Sequence, residues 1–217
     1  MKVEIFSDLV CPWCFIGKRR FERAVDALRA EGLVFDLDVV VRPFQLDPTA
    51  PIDSAIPVRE AYAKKFGGSD KAEAILQHVT TVAAGDGIEF NMNNAVRANT
   101  LAAHRLLLFI EERHGSQAQM NAIEAIMNAY FRDGRNIADH EVLADCAVTV
   151  GAQRTAVLEM LNSDRFMDEV REWLDTAADN GITAVPTFIV DDRWSIPGAQ
   201  DAELFERVLR RMLTAKP

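Results

Sequence analysis

Two cysteines flanking a Pro-Trp pair, Cys11-Pro12-Trp13-Cys14, stand where a strand-like segment gives way to a helix-like one, and that junction constrains the chain more than any other feature. Lys2 to Ser7 alternate imperfectly up to Asp8, as a short strand does. Beyond the cysteines, Phe15, Ile16, Phe21, Ala24, Val25 and Leu28 recur at helical spacing until Gly32 stops the run. Proline suits the first helical position because its missing N–H would be unpaired there. Cys11 is therefore expected at the helix N-terminus, where free N–H groups and the helix dipole favour a thiolate. Cys14, one turn further in, is placed to close a disulfide back onto it. Cys11 would attack a substrate disulfide and Cys14 would resolve the mixed disulfide.

The same pair could be half of a zinc site, but zinc generally takes four ligands. The remaining candidates, Cys146 and the histidines His78, His104, His114 and His140, offer no pair at ligand spacing, so no metal is expected. Three cysteines in 217 residues are not a disulfide scaffold either. Cys146 falls among Leu143, Ala147, Val148 and Val150 and reads as an inert core thiol.

Residues 34–41 alternate and are rich in branched side chains, which predicts a second strand; the long helix before it lets the two strands lie parallel as a βαβ unit. A connection with four prolines runs from Pro43 to Pro57. Helical periodicity then predicts segments near 58–66, 70–84, 95–114, 117–132, 139–149, 153–162 and 164–179. Strand character returns at Thr187–Val190, Asp191-Asp192-Arg193 forms a turn before Trp194–Pro197, and a last amphipathic helix follows Asp201. The order is βαβ, a helical block, then ββα, an α/β chain divided at 1–50, 51–180 and 181–217. Pro186 opens the returning strand, and its context favours a cis Val185–Pro186 bond that leaves the Val185 N–H and C=O beside Cys11 for an extended substrate.

A formal net charge of -9 works against affinity for nucleic acid or anionic membranes. The basic runs Lys18-Arg19-Arg20 and Arg207, Arg210, Arg211 read as solvated helix faces. Charges at Glu4 and Asp8 interrupt the N-terminal apolar stretch, so a cytoplasmic protein without a secretory signal is expected. No segment approaches the roughly 20 apolar residues of a membrane span. Apolar helices in the middle of the chain leave room for a homodimer.

At these residues the chain resembles the thioredoxin superfamily, and within it the DsbA-like branch described as FrnE-like oxidoreductases. The resemblance is carried by Ser7-Asp8 with Cys-Pro-Trp-Cys and Ile16-Gly17-Lys18-Arg19, by Asn99-Thr100 with His104-Arg105, by Tyr130-Phe131 with Gly134, by Thr183 to Phe188, and by Gly198-Ala199-Gln200. It implies a thioredoxin-like fold interrupted by a large all-helical insertion, with disulfide exchange at Cys11 and Cys14 on protein or small-molecule thiols and disulfides, and no bound organic cofactor. The branch is also similar to kappa-class glutathione transferases and 2-hydroxychromene-2-carboxylate isomerases, which typically place serine where Cys11 stands. That likeness makes a glutathione-dependent isomerase or transferase the alternative activity, glutathione a candidate co-substrate, and Val185, Gln200 and Asp201 candidate contacts to it. For Asp201 an N-cap of the last helix is the stronger reading. Periplasmic DsbA-like enzymes usually carry histidine where this chain has Trp13, which implies a less oxidising potential here and an aromatic surface for substrate.

Overall fold

The computed structural model describes residues 1–53 and 56–214; positions 54 and 55, inside the proline-rich connection, lie outside the described residues. β1 (Lys2–Ser7), α1 (Pro12–Ala30) and β2 (Asp38–Pro43) form the first unit, and β3 (Thr187–Val190), β4 (Trp194–Pro197) and α9 (Ala202–Thr214) complete it. Among the described residues the sheet runs β2-β1-β3-β4, with β1 parallel to β2 and antiparallel to β3, and β3 antiparallel to β4. The chain is thus an α/β fold of thioredoxin type with a helical insertion. α1 ends as predicted at Gly32, whose positive φ lets Leu33 N–H return to the Leu28 carbonyl at 3.2 Å.

The second strand begins four residues later than its alternation suggests. β1 supplies strand partners only from Lys2, which faces Asp38, so residues 34–37 fall outside the ladder; the Asp36 carbonyl accepts from the Met1 amine at 3.1 Å and Val34 is fully exposed.

The insertion contains α2 (Val58–Phe66), α3 (Ser69–Gly85), α4 (Leu101–His114), α5 (Ser116–Phe131), α6 (His140–Val148), α7 (Arg154–Leu161) and α8 (Met167–Asp179). α4 starts six residues after the predicted boundary of 95 because residues 95–97 are drawn into extended pairing: Val58 N–H donates to Ala95 O at 2.9 Å and Arg97 N–H to Ile56 O at 2.8 Å. Asn99, expected on that helix, lies just before it, accepting from Leu101 N–H and donating to Ala50 O.

One buried apolar cluster runs through both parts, and α1 is its shared wall. Phe21 of α1 meets Phe188 of β3 and Phe205 of α9 at centroid distances of 5.4 and 5.6 Å. Phe15, six residues earlier, meets Phe90 and Phe131 of the insertion, both at 6.1 Å. Polar clasps reinforce this wall and correct the reading of Lys18-Arg19-Arg20 as a solvated face. Lys18 is only 4% exposed and binds Glu22 and Glu124 at 2.8 and 2.7 Å. Arg19 also binds Glu124, and Arg20 binds Asp86 at 2.7 Å. In the later basic set, Arg210 pairs with Glu31 of the α1 C-cap at 2.7 Å.

The free edge of β2 is closed by a side chain. Gln119 of α5, fully buried, accepts from Val41 N–H at 2.7 Å and donates to Val41 O at 3.2 Å, so one amide stands in for a neighbouring strand. Beside it Arg42 donates to Glu4 at 2.8 Å and to Glu111 at 2.9 and 3.0 Å, with its guanidinium 4.2 Å above the Trp173 ring centre. Burial raises the Glu4 pKa, but Arg42 and Lys2 outweigh it and hold the carboxyl below its usual value. A carboxyl depressed in the folded state stabilises the fold above its unfolded pKa of about 4.3 and loses that contribution as pH falls through the folded value. Glu4→Gln should therefore lower the denaturant midpoint at pH 7, and the gap to wild type should narrow as the pH is taken below about 4.

Candidate active site

The β1–α1 junction places both cysteines. The β1 chain turns at Asp8, whose carbonyl accepts from Cys11 N–H at 3.0 Å, and Pro12 begins α1. Cys11 occupies the N-cap with extended backbone, and its carbonyl takes the first helical bonds, from Cys14 N–H at 3.1 Å and Phe15 N–H at 3.4 Å. No side chain caps this helix and its first turn holds no acidic residue, so the dipole end is left to the Cys11 sulfur.

Both cysteines are free thiols, and both are buried. Cys11 is 4% exposed rather than presented openly at the helix end, because its Sγ lies under the returning chain and donates to Val185 O at 3.8 Å. Cys14 is deeper. Burial, then the neighbouring Cys11 sulfur, pushes its thiol well above the usual range, although the Ser7 hydroxyl and the Asp8 backbone pull the other way. The two sulfurs are therefore unequal: one at a helix N-terminus, the other held protonated.

The second half of the site is the segment before β3. The Val185–Pro186 peptide is cis, and the Pro186 carbonyl accepts from Gly198 N–H at 2.7 Å. Pro186 and Ala199 ride directly over Gly17 on α1. A Cβ at Gly17 would come within 2.9 Å of Pro186 Cγ and 3.3 Å of the Ala199 Cα. Gly17 is a positioning residue for which the sequence offered only a glycine inside a helix, against its propensity.

Trp13, half-buried, turns toward the insertion and meets the His78 ring of α3 at 5.9 Å. Gln200 folds back on its own turn, donating to Pro197 O at 2.6 Å. Asp201 stands immediately before α9, with its carbonyl accepting from Leu204 and Phe205 N–H and its exposed carboxylate 3.2 Å from Arg20. The site thus gathers Cys11, Cys14, Pro12, Val185 and Pro186, whereas the polar contacts of Gln200 and Asp201 go to Pro197, Arg20 and the start of α9. Arg105 is buried and donates to the carbonyls of Met160, Leu161, Ser163 and Arg165, so it secures the turn after α7. Among the described residues no group of three or more His, Cys, Asp or Glu is arranged to hold a metal ion.

Behind the cysteines lies a polar pair from different parts of the fold. Asp8 and His104 are 0% and 1% exposed, with His104 Nε2 3.0 Å from Phe44 O and 3.5 Å from Asp8 Oδ1. Since a carbonyl only accepts, Nε2 carries the proton. The other Asp8 oxygen accepts from Leu46 N–H at 2.7 Å, which ties the connection after β2 to the cysteine loop.

Gly17→Ala tests the docking of the two halves. Overpacking there should cost about 1–3 kcal/mol in a denaturant titration and, by lifting the Val185 carbonyl off the sulfur, speed iodoacetamide alkylation of Cys11 at fixed pH.

Comparison with known proteins agrees with this fold. Residues 2–210 match the family model of the DSBA-like thioredoxin domain. A protein of Bacillus subtilis (strain 168), YwbO, described as uncharacterized, is 29% identical over 209 residues, covering 95% of this chain and 94% of its own. The crystal structure of a probable DsbA oxidoreductase, SCO1869 of Streptomyces coelicolor, is 33% identical with a TM-score of 0.89, covering 100% of this chain and 92% of that one. A more distant structure, the cytosolic disulfide reductase DsbM of Pseudomonas aeruginosa with GSH, shares the fold at 17% identity and a TM-score of 0.69, covering 99% of this chain and 100% of that one. The chain belongs to the DsbA-like thioredoxin-domain family.

Proposed function

We propose that this protein is a thiol–disulfide oxidoreductase that cycles between a Cys11, Cys14 dithiol and a Cys11–Cys14 disulfide. The observation that carries the reading is the inequality of the two sulfurs. Cys11 sits at an uncapped helix N-terminus against the Val185 carbonyl, while burial keeps Cys14 a thiol until it is needed. In the reductive direction the Cys11 thiolate attacks one sulfur of a substrate disulfide, forming a Cys11–substrate bond and releasing the first substrate thiolate. Cys14 then loses its proton and attacks Cys11 Sγ, releasing the second thiolate and leaving the protein disulfide. Two electrons have passed to the substrate, and two equivalents of another thiol restore the dithiol. The same steps in reverse oxidise a substrate dithiol.

Two cysteines favour this cycle over the glutathione-dependent isomerisation or transfer suggested by the related branch. A single residue that positions a glutathione sulfur would leave Cys14 without a task. Cys11→Ser should reduce insulin-disulfide turnover to the uncatalysed background. Cys14→Ser should stop after one event and accumulate a mixed disulfide at Cys11, seen as an added mass in intact-protein mass spectrometry. Turnover retained in either variant would remove the assignment.

The direction of electron flow is proposed to be reductive. Position 13 is a tryptophan whose ring rests on His78, so no imidazole lies between the cysteines to stabilise the thiolate and destabilise the disulfide. Equilibration with glutathione should give a reduction potential near the about −270 mV of a reducing thioredoxin, and a value near the about −120 mV of a strongly oxidising protein of this fold would assign the protein to oxidation instead.

A further inference from the structure

Beside Cys11, between its loop and α2, lies a cavity of about 500 Å³, within the range that accepts a small organic ligand. Val10, the residue before the nucleophile, forms one wall, and Val58, Ala61 and Ala98 form others. Tyr62 and Tyr130 also line it, and Tyr62 lies near enough to Cys11 for the sulfur's charge to act on its hydroxyl. Burial first, then nearby charge, pushes Tyr62 up to about 12 and Tyr130 well above its ordinary value, so both are neutral donors at any working pH. Tyr130 is only 1% exposed, yet among the described residues neither hydroxyl has a protein hydrogen-bond partner. Neither hydroxyl is among the fully buried side-chain atoms left without a partner, so both open to the cavity and can donate to a ligand there.

The rim supplies the charge. Asp47 is neutralised by Arg97 at 2.7 and 3.0 Å. That leaves Lys64 and Lys65 facing Glu60, two cations against one anion on a chain whose net charge is -9, and neither lysine is in an ion pair among the described residues. Leu46 and Ile56, 39% and 41% exposed, add apolar surface to the lining. We propose that this cavity is the substrate pocket for disulfide exchange, and that it takes the apolar, carboxylate-bearing half of a small-molecule disulfide. Resting on the oxidoreductase reading, this assignment names its substrate class. The apolar body fills the space against Val58, Ala61 and Ala98, the carboxylate meets Lys64 and Lys65, and the tyrosine hydroxyls donate to acceptors on the ligand. Cys11, 4% exposed, does not itself line the cavity, but its neighbour Val10 does, which sets a disulfide held there next to the nucleophile's loop.

The test uses the reduced full-length protein and three disulfides: 4,4'-dithiodibenzoate, aromatic and dianionic; cystamine, dicationic; and 2-hydroxyethyl disulfide, small and neutral. Stopped-flow rates of the first exchange are each divided by the rate with free N-acetylcysteine, which removes the leaving group's own reactivity. The pocket predicts a normalised rate for the dibenzoate at least about tenfold above both others. Lys64→Gln with Lys65→Gln should shrink the dibenzoate-to-neutral ratio at least about fivefold, and Ala61→Trp, which fills the cavity, should abolish the preference. Equal normalised rates, or a preference untouched by both variants, would overturn the proposal. Binding of 4,4'-thiodibenzoate, whose thioether cannot exchange, to the Cys11→Ser, Cys14→Ser protein separates the two readings by calorimetry. One-to-one binding lost in Ala61→Trp supports the pocket even if exchange itself fails. Exchange with 2-hydroxyethyl disulfide but no thioether binding upholds the redox reading and removes the pocket.

Discussion

The contact of Pro186 and Ala199 with Gly17 is the constraint on which the site depends. The chain leaves its first βαβ unit, runs through helices α2 to α8, and must bring residues 185–200 back over the first turns of α1 to complete the sheet. Only a residue without a side chain lets that return approach closely enough for the Val185 carbonyl to reach the Cys11 sulfur. Steric fit at one helix position thus sets the distance between a nucleophile and the backbone facing it, though they lie 174 residues apart.

α1 can bear this because it is held from both sides. Phe21 anchors it to the returning strand and last helix, Phe15 to the insertion, and the Lys18, Arg19 and Arg20 clasps reach acidic residues of α5 and of the turn after α3. Apolar packing of this kind is non-directional, whereas the ion pairs fix which residues face one another. The insertion is therefore more than an appendage: it contributes the ring beside Trp13, the walls of the cavity near Cys11 and the imidazole behind Asp8.

Much of this was legible in the sequence where local pattern and tertiary outcome agree. The cysteine junction, α2 at 58–66, the Asp191-Asp192-Arg193 turn and the helix stop at Gly32 follow from propensity, capping and turn chemistry that act within a few residues. The missed boundaries have a common cause in distant partners. β2 starts where β1 offers a mate, and α4 starts late because 95–97 pair with the 56–58 segment. Charge is illegible for the same reason. Lys18 and Arg20 look like surface residues until Glu124 and Asp86 are known to stand opposite them. Gly17 was visible as a letter, but its significance lies in a proline 169 positions away, which no local pattern encodes.

The Gln119 amide at the edge of β2 bears on how this sheet can meet other chains. An amide that both donates to and accepts from Val41 occupies the hydrogen-bonding positions an incoming strand would need there. Strand addition on that side is closed off, and β4, a four-residue strand ending in Pro197, is the remaining border. A polypeptide that annealed to this sheet would have to do so on the ββα side, at a border short enough to discourage it.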